Sequence, residues 1–133
     1  MKYCSDTWFI LKLFEKDIKA LNLLNEVKYG KSSLIVPIVV FAESIRKLLE
    51  RGIPQTNVDQ FFNSMELSNK INFLIVDKNI AKEAAKISLS NDLSLMDSFV
   101  AASCKLSDSN LLLAADSDYK HLIKKNYIKL HSW

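Results

Sequence analysis

The sequence has 133 residues, a length typical of one domain that buries most of its apolar surface without disulfides or metals. Its 49% hydrophobic and 25% charged residues are those of an ordinary globular protein rather than of a disordered chain. The net charge of +3 is too small for a protein that coats DNA by electrostatics alone, although it is compatible with an anionic partner.

Short apolar segments alternate along the chain with segments of helical periodicity. In chain order, the predicted elements are a weak strand at 1–5, a helix at 17–29, a strand at 33–36, helices at 41–49 and 58–67, a strand at 71–76, helices at 80–87 and 95–106, and strands at 111–115 and 127–130. Strands separated by helices of this length pair in parallel. The sequence therefore predicts an α/β domain over residues 1–133, with helices on both faces of one sheet.

The rare residue types exclude several kinds of catalytic or binding site. Gly30 and Gly52 lie too far apart for a phosphate-binding loop or a dinucleotide fingerprint. Cys4 and Cys104 form no CxxC pair, and the two histidines form no HExxH zinc motif. Carboxylates remain as the candidate catalytic groups.

No segment has the length and hydrophobicity of a membrane helix. The longest apolar run, residues 34–42, is about half the length that a span requires, and it contains Pro37. The N-terminal region lacks the apolar stretch of a signal peptide. We therefore expect a cytoplasmic protein with no membrane partner.

Acidic residues follow the predicted strands or lie near the starts of helices. Asp6 follows the first strand, Glu43 lies in the helix after the second, and Asp97 opens the helix that precedes the fourth. Asp116 and Asp118 follow the fourth strand. Because parallel strands end at one edge of a sheet, where ligands bind, these acids are expected to converge there.

Each acid also has a purely structural interpretation. Asp6 and Asp118 are candidate N-caps of the helices that follow them. Asp97 lies three residues after Ser94, as in a variant capping box. Glu43 is spaced for ion pairs with the basic residues three and four positions later in its helix.

Four short segments, in their order along the chain, resemble those of the PIN-domain nucleases. They are Ser-Asp-Thr-Trp at 5–8, Phe-Ala-Glu-Ser at 41–44, Leu-Met-Asp-Ser-Phe-Val-Ala-Ala at 95–102, and Asp-Ser-Asp-Tyr at 116–119. The resemblance covers essentially the whole chain and is greatest to the VapC toxins of type II toxin–antitoxin systems. It implies a three-layer α/β/α domain with a mainly parallel five-stranded sheet of order 3-2-1-4-5, and activity as a Mg²⁺- or Mn²⁺-dependent endoribonuclease.

The resemblance also implies roles for individual acids. Asp6, Glu43, Asp97 and Asp116 match the four catalytic and metal-binding acids of the family, and Asp118 matches an additional acid of variable importance. Asp6 and Asp97 are the expected direct metal ligands, with Asp116 and Glu43 binding through water or holding a second ion. The number of metal ions and the preferred ion stay open.

The chain departs from the family pattern at two positions. Ala114 stands where the family often has Thr or Ser, and Trp8 stands where it frequently has Asn or Ser. Both departures leave the acids intact, so they bear on efficiency rather than on the class of chemistry.

Basic and aromatic residues near these acids are candidate contacts to RNA. Trp8 and Tyr119 are candidates to stack on an unpaired base. The basic candidates for backbone contacts are Arg46, Lys47, Arg51, Lys120, Lys124 and Lys125.

A toxin of this kind implies a cognate antitoxin and a homodimer as partners. Two other functions are compatible with the same sequence: a PIN nuclease that processes RNA without an antitoxin, and a non-catalytic module that binds RNA or protein. A small-molecule phosphatase is disfavoured because no nucleophilic Asp-x-Asp pair follows the first strand directly.

Overall fold

The computed structural model describes residues 1–109 and 111–133, and of Asp116 it describes the backbone alone. The strands are β1 (Lys2–Ser5), β2 (Ser33–Pro37), β3 (Ile71–Leu74) and β4 (Leu111–Leu113). The helices are α1 (Thr7–Phe14), α2 (Ile18–Lys28), α3 (Ile38–Glu50), α4 (Gln55–Glu66), α5 (Lys78–Asn91), α6 (Leu95–Leu106) and α7 (Lys120–Lys124). A 3-10 helix, Asp116–Tyr119, joins β4 to α7.

The sheet is parallel throughout its described strands and has the order β3-β2-β1-β4. Successive residues of β1 and β2 are buried rather than alternating, because helices cover both faces of the sheet. The predicted α/β fold with a parallel sheet is thereby confirmed.

The sheet differs from the prediction in one detail, the fifth strand expected at 127–130. Leu130 forms a single parallel bridge to Leu112. Two backbone hydrogen bonds make this bridge: the Leu112 N–H donates to the Lys129 carbonyl (2.8 Å), and the His131 N–H donates to the Leu112 carbonyl (2.9 Å). The chain leaves α7 through Asn126 in the left-handed region (φ 59°), so it meets the short strand β4 over too few residues to form a ladder.

The helix boundaries are set by proline and capping residues more than by the apolar periodicity. The helix expected at 58–67 begins at Gln55, directly after Pro54, whose fixed φ suits a helix start. Asp17 and Asp77 cap α2 and α5 by accepting hydrogen bonds from Ala20 and Ile80. No helix in the described part of the chain is long and apolar enough to cross a membrane.

The core contains the sheet and the inward faces of the helices. Both cysteines are buried and free. The fully buried residues of the core include Cys4, Phe9, Leu34, Val36, Leu48, Leu112 and Leu113.

Candidate active site

Asp6 lies at the centre of the sheet edge where the strands end. Its backbone N–H donates to the carbonyl of Leu113 (3.1 Å), which joins the end of β1 to the end of β4. Asp6 occupies the N-cap position of α1, yet its carboxylate makes no capping hydrogen bond, and the residue is only 6% exposed. The capping interpretation of Asp6 is therefore wrong, and its carboxylate is available to the pocket in front of it.

Glu43 reaches the same edge from α3 and is half-buried. Its expected helix partner Arg46 pairs instead with Glu50, at 2.9 Å. Lys47 lines the pocket together with Glu43. The face of α3 that carries Glu43 is thus part of the pocket wall.

Asp97 reaches the pocket from the first turn of α6. The Ser94 hydroxyl caps this helix by accepting the Asp97 N–H (3.2 Å), so the capping interpretation holds for Ser94 and leaves the Asp97 carboxylate free of that role. The hydroxyl of Tyr119 donates to Asp97 Oδ1 at 3.4 Å.

Asp116 and Asp118 lie in the 3-10 helix that follows β4. Asp118 is exposed and lines the pocket. The side chain of Asp116 lies outside the described part of the structure, so its predicted role stays a prediction.

The structure brings four of the predicted acids to one pocket of about 380 Å³. Among the described lining residues, Lys47 is the basic side chain that accompanies these acids. The lining residues are Asp6, Thr7, Trp8, Leu11, Glu43, Lys47, Ser94, Met96, Asp97 and Asp118.

This crowding changes the acidity of the two deepest carboxyl groups. Burial raises the pKa of Asp6 to about 7, and the negative charges of Asp97 and Glu43 add to the effect, while hydrogen bonds from the Thr7 amide and the Tyr119 hydroxyl oppose it. Burial also raises the pKa of Asp97, assisted by the charges of Asp118 and Glu43. The pocket therefore holds more negative charge than its own side chains neutralise.

Tyr119 is not one of the residues that line the pocket, and it lies buried behind the acids. It is 1% exposed, and burial, followed by the charges of Asp6 and Asp97, raises the pKa of its hydroxyl well above the usual value. The prediction that Tyr119 stacks on a base is wrong because the ring is covered. The sequence analysis did not predict that the Tyr119 hydroxyl donates to Asp97. The sequence feature that could have indicated it is a tyrosine directly after Asp118.

The basic residues proposed for RNA contact differ in their surroundings. Arg46 pairs with Glu50 (2.9 Å) and Arg51 with Glu15 (3.1 Å), all on exposed surface. Lys120 is exposed at the start of α7. Lys47 is the member of this set that lines the acidic pocket.

The donor chemistry of the pocket fits a hard divalent cation. Within the side chains that the structure describes, no three carboxylate, imidazole or thiolate groups converge into a complete metal cluster. Mg²⁺ commonly takes only one or two protein carboxylates and keeps several waters. Asp6 and Asp97, whose carboxyl groups both have raised pKa values, are oxygen donors that could hold such an ion.

Three solved structures share this fold over most of the chain. VapBC2 from Rickettsia felis, bound to a DNA fragment from its promoter, has a TM-score of 0.74 at 11% identity and covers 100% of this chain and 99% of its own. VapC20 of Mycobacterium tuberculosis, a toxin that cleaves the sarcin–ricin loop, has a TM-score of 0.69 at 18% identity, with 90% and 93% covered. A toxin–antitoxin complex from Klebsiella pneumoniae has a TM-score of 0.69 at 14% identity, with 88% and 89% covered.

At these identities the likeness establishes the fold alone. No curated protein sequence matches the chain. The family model described as the PIN domain, however, matches residues 3–125, which is most of the sequence. The chain belongs to the PIN domain family.

Proposed function

We propose that this protein is a divalent-metal-dependent endoribonuclease and the toxin of a type II toxin–antitoxin pair. The observation that carries the proposal is the convergence of Asp6, Glu43 and Asp97, from three different elements, on one pocket. Burial, followed by the charges of Asp97 and Glu43, raises the pKa of the Asp6 carboxyl, and a bound cation would oppose both effects by stabilising the ionised form.

Asp6 and Asp97 are proposed to hold the ion directly, with Glu43 and Asp116 acting through water or at a second ion and Asp118 contributing less. A bound Mg²⁺ or Mn²⁺ supplies Lewis acidity toward the scissile phosphate and lowers the pKa of a coordinated water. The reaction is then an in-line hydrolysis of an RNA phosphodiester bond.

Other side chains of the protein are proposed to orient the acids and to bind the RNA. The Tyr119 hydroxyl, 3.4 Å from Asp97 Oδ1, holds that carboxylate in place. Lys47, at the pocket wall, is placed to attract a phosphate. Arg46, Arg51 and Lys120 are proposed to contact the RNA backbone outside the pocket.

The proposal of an antitoxin partner is supported by the similarity to toxin–antitoxin complexes from R. felis and K. pneumoniae. We propose that residues 1–133 act as one unit in the cytoplasm, that the toxin forms a homodimer, and that its antitoxin covers the acidic pocket.

The decisive experiment is cleavage of a mixed pool of small RNAs in Mg²⁺ or Mn²⁺. Wild type should produce fragments that disappear in EDTA and in the Asp97→Asn variant. Asp59→Asn is the matched control, because Asp59 is an exposed residue of α4 that accepts a hydrogen bond from Gln55 in its own helix and does not line the pocket.

Equal cleavage by wild type and Asp97→Asn would refute the assignment of the site. Absence of cleavage with every metal would favour a non-catalytic binding module on this fold. Metal-dependent cleavage by a protein that no small neighbouring-gene product inhibits would favour a processing nuclease over a toxin.

A further inference from the structure

Trp8 is the aromatic side chain among the described residues of the acidic pocket wall. It lies in the first turn of α1, two positions after Asp6, and is half-buried, whereas Phe9 beside it is fully buried. Part of the indole therefore packs on the protein while part faces the space in which Asp6 and Asp97 lie.

Several aromatic rings that contact one another support this indole. Trp133 contacts Trp8 with ring centroids 5.5 Å apart and stacks on Phe9 at 5.9 Å. His131 packs against Trp133 at 4.6 Å and against Tyr3 of β1 at 5.6 Å. Because Phe9 and Tyr3 belong to the core, these contacts connect the Trp8 ring to the core through Trp133, which is itself 36% exposed.

Lys12 contacts the indole, and Lys47 lines the pocket that the indole borders. Lys12 Nζ lies over the Trp8 ring, 5.9 Å from its centroid and one helical turn further along α1, and it is paired with Glu15 at 3.7 Å. Lys47 lines the pocket from α3. A flat π-surface that borders a pocket with a lysine suits a nucleotide, whose base stacks on the ring while its phosphate meets Lys47.

We infer that Trp8, supported by Trp133, is a base-stacking platform that selects an unpaired nucleotide next to the scissile phosphate. This inference rests on the proposed function and deepens it. A base inside a duplex has both faces covered by its neighbours, so only a single-stranded or splayed base can stack on Trp8. Trp8 is therefore the residue that contacts an unpaired base at the cleavage site.

The inference is tested by fluorescence, because Trp8 and Trp133 are the two tryptophans of the sequence. In an Asp97→Asn/Trp133→Phe protein, Trp8 is the sole indole and cleavage is suppressed. Titration in Mg²⁺ with an unstructured oligoribonucleotide should quench this fluorescence saturably, and a blunt RNA duplex should not. Equal quenching by both RNAs, or by neither, would overturn the inference.

Affinity provides the second measurement, on the Asp97→Asn background with a labelled oligoribonucleotide. Trp8→Leu should weaken binding by about 5- to 140-fold, the range that one base–aromatic stack contributes, and Trp8→Phe should recover most of the loss. Tyr29→Leu is the matched control, since Tyr29 is 81% exposed and directly follows α2, at the opposite edge of the sheet. Unchanged affinity in Trp8→Leu would overturn the platform.

A third arm does not depend on the folding of any Trp8 variant. Abasic substitution along the oligonucleotide should lower affinity at one position and spare the others, and a uniform response would count against the inference. Cleavage by wild type without these effects would refute the platform and leave the nuclease standing. Single-strand-selective quenching without metal-dependent cleavage by wild type would refute the nuclease and retain the base-binding site.

Discussion

Asp6 carries an electrostatic cost that the fold does not relieve with its own side chains. Burial and two neighbouring acids raise the pKa of its carboxyl from 3.8 to about 7. The native state of the metal-free protein therefore binds a proton more tightly than the unfolded chain does. Stability must consequently depend on pH through this group.

Asp6→Asn should stabilise the metal-free protein at pH 8 by up to about 4 kcal/mol and change little at pH 4. At low pH the carboxyl is protonated in both states. Between pH 4 and pH 7 the unfolded chain ionises first, so wild-type stability falls as pH rises, and above pH 7 the difference is constant. Urea unfolding in EDTA across this range measures the gap; a gap that is independent of pH would contradict the prediction.

Tyr119→Phe should weaken binding of Mg²⁺ or Mn²⁺ by about 10- to 100-fold, because it removes the hydroxyl that orients Asp97. Tyr127→Phe is the matched control: its hydroxyl also donates to a carboxylate, that of Glu83 (2.9 Å), but Glu83 lies outside the pocket. Calorimetric titration of the metal-free proteins measures the difference. Equal losses in the two variants would mean that Tyr119 has no specific role at the metal site.

The meeting of Asp6 and Glu43 in one pocket was predictable from sequence because both follow parallel strands, which end at one edge of a sheet. Asp97 starts a helix that follows another helix, so its place beside them was predicted from the family resemblance. The orientation of Tyr119 was not predictable from sequence. Spacing places an aromatic residue beside a site, but packing against the rest of the fold decides whether the ring faces solvent or the core. Burial of Tyr119 turned an expected RNA contact into a donor beneath the acids.

Helix starts separate structural carboxylates from functional ones. Asp77 accepts a hydrogen bond from Ile80 N–H (2.9 Å) at the start of α5, whereas Asp6 makes no such bond at the start of α1. The sequence makes Asp6 a candidate cap because Asp is common at this position, and it does not single out Asp77. The hydrogen-bond geometry distinguishes the two residues.

Asp77→Ala should lower the free energy of unfolding by about 0.5–2 kcal/mol, the usual contribution of an N-cap, and leave RNA cleavage unchanged. Asp77→Asn keeps an acceptor oxygen and should retain most of the stability. Thermal melts and the cleavage assay on the same preparations test both statements. A loss of cleavage with unchanged stability would place Asp77 in the site instead.

The predicted strand at 127–130 shows where apolar patterning is insufficient. Its apolar residues do pack inward, since Ile128 is buried, but strand formation also needs a partner of matching length. β4 offers three residues, and the segment after Asn126 meets it at one bridge. The apolar pattern predicts which residues are buried, whereas strand pairing depends on the geometry of both segments.

Charge on the whole molecule is distributed unevenly around the pocket. Arg46 and Arg51 form ion pairs with surface glutamates, whereas Lys47 lines the acidic pocket. Binding of single-stranded RNA should weaken with salt in proportion to the phosphates that such cations neutralise.

Lys47→Gln should reduce the slope of log affinity against log salt concentration by about 0.7, the value for one phosphate contact on a single strand. Arg46→Gln should change it less, because Glu50 already neutralises Arg46. Anisotropy titrations from low to moderate salt give both slopes. Identical slopes for Lys47→Gln and wild type would remove Lys47 from the RNA-binding surface.

The hydrogen bond from Asp6 N–H to the Leu113 carbonyl closes the acidic edge between residues that are far apart in sequence. A ribosome that adds roughly 5–20 residues per second makes Leu113 roughly 5–20 s after Asp6. During that interval the nascent chain has its first acid but neither β4 nor the acids that follow it. The acidic edge is therefore incomplete until most of the chain has been translated, and the proposed nuclease would have its full site only after that point.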